Sequence, residues 1–158
     1  MSDLASLTLP TWAVPSQPRQ AAVDEHTVRI RAQWWREAIT FRGLPGMSPV
    51  GPTLTRAQVW TTTGHVHAAV AGLAWGSGSH LRQNSRRLDS IAADVSRAEN
   101  LLTAAAEASR HDPAGAYAVL RPDRRNTLLS LGPSFFTKFL YFAGGGAPEH
   151  HHRARSRQ

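Results

Sequence analysis

The chain contains no cysteine and only one lysine. Without thiols there can be no disulfide and no thiolate-bound zinc or iron–sulfur cluster, which leaves packing alone to hold the fold and fits a cytoplasmic protein. Acidic residues are also scarce: eleven Asp and Glu stand against eighteen Lys and Arg, a formal charge of +7. A balance of that sign points to a polyanionic partner, with nucleic acid ahead of a membrane surface. No apolar run approaches membrane-spanning length, and residues 1–10 lack the basic start and long apolar core of a signal peptide. No segment alternates with the period of a strand, and nothing repeats at a fixed interval, so an all-α fold with several helices around one core is expected.

At 158 residues and 41% hydrophobic, the chain has room for one domain with a real core. Residues 1–22 hold Pro10, Pro15 and Pro18 among Ser, Thr and Gln, and read as a flexible leader. From Asp24, the spacing of Val28, Ala32, Trp35 and Ile39 predicts a helix to about Phe41. Thr53 or Thr55 can cap the next helix, which carries Val59, Val66, Val70 and Leu73 and which Gly64 divides. Gly76-Ser77-Gly78-Ser79 reads as a plain turn, since it lacks the strand and the GK[ST] ending of a phosphate-binding loop. Leu88, Ile91, Val95, Ala98, Leu102 and Ala105 step by three and four, which predicts one long helix with this stripe in the core. Asp112-Pro113 starts a short helix through Tyr117 and Leu120, and Pro122-Asp123 repeats the signal, so that RPDRRNTLL is expected to run as a basic helix. His65 and His67 are two apart, which places them on different sides of a helix, so no metal site is expected there.

Residues 126–146 carry the most chemistry. Leu131-Gly132-Pro133 interrupts two apolar runs, because Gly permits unusual backbone angles and Pro cannot continue a preceding helix. A helix with Ser134 as its N-cap then runs through Phe135, Phe136, Phe139, Leu140 and Phe142 to the glycines at 144–146. Lys138, the sole lysine, falls among these aromatics. Burial there would disfavour its charged form and make the amine nucleophilic enough for Schiff-base chemistry, which Arg cannot perform. The residues alone leave a second reading open, in which Lys138 lies on the solvent face and keeps the helix soluble.

The segment LSLGPSFFTKFLYFAGG resembles the helix-hairpin-helix DNA glycosylases, and specifically an actinobacterial-looking branch of the 8-oxoguanine DNA glycosylases. WWREAITFRGLPGMSPVGPTLTR, LAWGSGSHLRQNSRRLDSIAADV and AYAVLRPDRRNTL look like the same branch, so the likeness covers most of residues 34–149. It implies a helical glycosylase-like domain over residues 23–146 with its hairpin at 126–146. Lys138 would be the nucleophile that attacks C1′ of the damaged nucleotide, and Gly132, Pro133 and Ser134 would form the hairpin that holds DNA. The common hairpin pattern has Gly-x-Gly where this chain reads Ser134-Phe135-Phe136. Arg124 and Arg125, in the cluster with Arg121, are the expected phosphate contacts, and double-stranded DNA is the expected partner. No cofactor, metal or obligate protein partner is expected.

Residues 147–158 read as a disordered His/Arg-rich tail, and His150-His151-His152 lacks the enclosed geometry of a functional metal site. Family members continue past the glycines into a hydrophobic segment with an essential aspartate, which would fall near Ser156. This chain has no carboxylate beyond Glu149. The resemblance therefore implies a truncated or frame-shifted member that lacks the final helices and exposes the apolar face of its last helix. Two functions follow: a glycosylase and abasic-site lyase acting on oxidised guanine through a lysine Schiff base, slowed or silenced by loss of the aspartate, or a non-catalytic helical DNA-binding domain.

Overall fold

The computed structural model describes residues 19–45 and 51–144. In chain order these form α1 (Arg19–Asp24), β1 (Thr27–Arg29), α2 (Ala32–Phe41), β2 (Thr53–Thr55), α3 (Arg56–Trp60), α4 (His65–Ser77), α5 (Asn84–Ala92), α6 (Val95–Ser109), α7 (Pro113–Leu120), a 3₁₀ turn (Pro122–Arg124) and α8 (Pro133–Ala143). The domain is thus all-α in class, as its apolar periodicity predicts, with one small sheet. α1 takes in residues 19–22 of the expected leader, and the expected tail lies outside the described residues.

α4 is the central helix. Val66, Ala69, Val70, Leu73 and Ala74 are buried around most of its circumference, as befits a helix apolar on nearly every side. α3, α5, α6 and α8 pack around it, and α7 lies against α6 and α8. Most of the core stripe read from the sequence is in place: Leu88, Ile91, Ala98, Leu102 and Ala105 are each fully buried, while Val95, the first residue of α6, is half-buried. Each large aliphatic or aromatic side chain so buried stabilises the fold by about 1.5–3 kcal/mol.

Several element boundaries differ from those expected, each for a local reason. Val28 lies in a strand rather than a helix: Thr27, Val28 and Arg29 pair antiparallel with Thr55, Leu54 and Thr53. The run is too short to show alternation, and its partner is more than twenty residues away. The long helix is two, α5 and α6, because Asp94 leaves helical angles and its carboxylate accepts from the Arg97 N–H at 2.9 Å, starting a new N-terminus. Thr55 caps α3 in a reciprocal box with Gln58, and Gly64 does separate α3 from α4. Gly76 and Ser77 belong to α4, and the turn is made by Gly78, at φ +57°, and Ser79.

The basic stretch after α7 is not a helix. Pro122 ends α7 by keeping Arg121 out of helical angles, at φ −143° and ψ 62°, and Asp123 and Arg124 then adopt positive φ. Thr127 closes the exit, its N–H and hydroxyl donating to the carbonyls of Leu120 and Val119 at 3.0 and 3.1 Å. Residues 121–132 are therefore a loop between α7 and α8, where RPDRRNTLL was expected to supply the helix before the turn. The apolar face of α8 is covered: Phe136, Phe139 and Phe142 are buried against α4, α6 and α7, so the exposed face expected of a chain short of helices is not found.

Candidate active-site lysine and nucleic-acid interface

α8 begins at Gly132, which is the N-cap in place of the expected Ser134; Pro133 occupies the first helical position, where its missing N–H costs nothing. Ser134 is thus the second residue of the helix and exposed, and its carbonyl accepts a hydrogen bond from Lys138 Nζ, one turn on. Phe136, Phe139 and Phe142 recur at three-residue spacing and turn one face into the core, which leaves Lys138 half-buried on the flank.

Its stem lies against Gly76 of α4. A Cβ on Gly76 would stand 2.7 Å from Lys138 Cδ and 3.0 Å from Cε, so no side chain larger than hydrogen fits while the lysine stays in place. The ammonium nitrogen is 5.2 Å from the centre of the Phe135 ring. Beside it opens a cleft of about 290 Å³ lined by Arg56, Trp75, Thr137, Lys138, Tyr141 and Phe142. The Arg56 guanidinium stacks 5.1 Å from the Trp75 ring and 5.8 Å from Tyr141. This wall is cationic and aromatic, a combination suited to a flat, electron-rich group. None of the residues lining it carries a carboxylate.

Three of the aspartates upstream have other work. Asp89 pairs with Arg42 at 2.7 Å, while Asp94 and Asp112 cap α6 and α7. Glu99 of α6 caps the central helix, accepting from the N–H groups of His65 and Val66 at 3.0 and 2.8 Å and contacting His65 Nδ1 at 3.1 Å. Burial pushes its pKa up, but the bonds from Val66 and His65 outweigh that and hold it below the usual carboxylate value.

On the other side of Gly76, Asn84 is wholly buried and ties three segments together. Its amide donates to the His80 carbonyl at 3.1 Å, and its oxygen accepts from Ser77 at 3.2 Å and from Arg87 Nη1 at 2.7 Å. Arg87 in turn donates through Nε to the Ser130 carbonyl at 3.3 Å, which anchors the loop before α8, and stacks 3.9 Å from the centre of Phe135. Desolvation lowers its pKa.

Gly132, Pro133 and Ser134 share one turn with the helix that bears Lys138, and Arg124 and Arg125 are exposed on the same α7–α8 loop. Arg121 Nε holds the carbonyl of Arg124 at 3.1 Å. Gly76, Asn84, Arg87, Arg56 and Trp75 were not legible as site residues. The one available signal was Gly76, a glycine at the end of an apolar helical run, which marks a close approach as readily as a turn.

Among the described residues, no group of three or more His, Asp or Glu side chains is placed to hold a metal ion, and no helix is long and apolar enough to cross a membrane. No curated protein and no solved structure matches the chain. Residues 21–155 match the family described as "Putative 8-oxoguanine DNA glycosylase OGG-like protein". Spanning well over half of the sequence, that match shows that the chain belongs to this family and is of the DNA glycosylase-like kind.

Proposed function

We propose that the protein acts on oxidised guanine in double-stranded DNA, releasing the base and opening the abasic sugar through a Schiff base at Lys138. The observation that carries this reading is the setting of the chain's only lysine: half-buried, fitted against a glycine, hydrogen-bonded to Ser134 and facing a cationic, aromatic cleft. A nucleotide turned out of the stack would present its C1′ to Nζ, at an unstacking cost of a few kcal/mol. The amine lone pair then forms the C1′–N bond while the electrons of the glycosidic bond leave with the base. Loss of an amine proton and opening of the sugar ring yield the imine. Gly132, Pro133 and Ser134, with Arg124 and Arg125, would hold the backbone, the arginines by charge and the helix start by its N–H groups.

One observation favours a second reading, a DNA-binding domain without glycosylase chemistry. No carboxylate lines the lysine cleft, and Asp89, Asp94 and Asp112 are engaged in a salt bridge and two caps.

Borohydride trapping separates the two. On duplex DNA with an abasic site or 8-oxoguanine, the wild type should give a covalent adduct that Lys138→Gln abolishes, because only an imine is reduced to a stable amine. Equal trapping by both proteins would assign the adduct to another amine and refute the role of Lys138. DNA binding without any trapping would establish the second reading.

A further inference from the structure

Gly76 separates the lysine cleft from a second opening. This cleft, of about 400 Å³, is lined by Gly76, Ser77, His80, Arg82, Gln83, Arg87 and Phe135. Its polar side chains belong to Ser, His, Arg and Gln, all of which can donate, and none is acidic. His80, Arg82 and Gln83 are exposed at its rim, while Arg87 is half-buried at its wall. The three hydrogen bonds of Arg87 use Nε and Nη1, and Nη2 takes part in none of them. A concave site of that charge and donor set fits a phosphate, whose oxygens only accept.

We infer that this cleft receives a DNA backbone phosphate adjacent to the nucleotide presented to Lys138. The inference rests on the glycosylase reading for the identity of its ligand. It assigns a contact surface on the α4–α5 joint, in addition to Arg124 and Arg125 on the α7–α8 loop. Two features of the structure tie this surface to the amine. Gly76 lines the cleft and also bears the lysine stem, so the two sites are one residue apart. Arg87 and Lys138 both lie over the Phe135 ring, at 3.9 and 5.2 Å from its centre. A phosphate drawn to Arg87 would also meet the residue that holds Ser130, so binding would brace the loop that leads into α8.

The test uses the full chain and duplex DNA with an uncleavable abasic analogue, so that binding is read without chemistry. Anisotropy titrations over a range of salt give affinity and its salt slope. His80→Ala with Arg82→Ala should weaken binding about tenfold at low salt and reduce the slope by about one. Gln83→Glu, which places a carboxylate at the rim, should weaken it further. Arg97→Ala on α6 with Arg110→Ala at its C-cap removes two exposed charges outside the cleft and should do much less. Equal losses from both arginine-bearing pairs, or none from the cleft variants, would overturn the inference. So would competition by inorganic phosphate at a cleft whose variants leave DNA affinity untouched, since that marks a free-anion site only. Failure of the wild type to trap DNA with borohydride would refute the chemistry at Lys138 while leaving this binding result to stand.

Discussion

Gly76→Ala separates the position of the lysine from the stability of the fold. The added methyl would stand 2.7 Å from Lys138 Cδ, against an ordinary carbon–carbon separation of about 3.5–4.0 Å. The stem of Lys138 must therefore move by about 1 Å, and as a flexible side chain it can do so without disturbing the core. Replacing a helical glycine by alanine favours the folded state by up to about 1 kcal/mol, and less so near a helix end, where Gly76 lies. The two effects oppose each other, so the melting temperature should change by no more than about 2–4 °C. The rate of covalent trapping has no such compensation. A reacting group displaced by about 1 Å loses roughly 100-fold in rate. Single-turnover borohydride trapping on abasic duplex, alongside a thermal melt, reads both quantities. Trapping at the wild-type rate would show that the amine is not held in place by α4, and a large fall in melting temperature would show that the lysine stem cannot yield.

Other substitutions test the supports of the site. Asn84→Ala removes three hydrogen bonds in a wholly buried position and should cost about 2 kcal/mol in denaturant unfolding; a change near zero would mean that the three segments are held by packing alone. Glu99→Ala uncaps α4 and should cost about 1 kcal/mol at neutral pH. Because the folded pKa of Glu99 is depressed, its contribution is present above the unfolded value of 4.5 and is lost as pH falls through the lower folded value. The gap in stability between wild type and Glu99→Ala should therefore narrow only below pH 4.5; a gap constant down to strongly acidic pH would refute the role of the ionised cap. Arg124→Ala with Arg125→Ala should flatten the salt dependence of duplex binding by about two, while binding indifferent to salt would remove nucleic acid as the partner.

By itself the sequence determined the helical class, most of the core stripe from Leu88 to Ala105, a cap at Thr53 or Thr55 and another at Asp112, and the division at Gly64. Each of these is written in residues a few positions apart, where side-chain period and backbone sterics act. It also singled out Lys138, by its rarity and its aromatic setting. What only the tertiary structure decided involves residues far apart in the chain. β1 meets β2 across more than twenty residues, and Glu99 caps a helix that starts at His65. Gly76 reads locally as a turn, yet its function is set by a lysine more than sixty residues later, because a missing Cβ matters only to whatever packs against it. Arg87 reads as one of two adjacent charges, and the fold instead makes it the tie between Asn84, Ser130 and Phe135. Period and capping are properties of one helix, whereas a cleft needs several, so Lys138 could be singled out from the chain and the geometry around it could not.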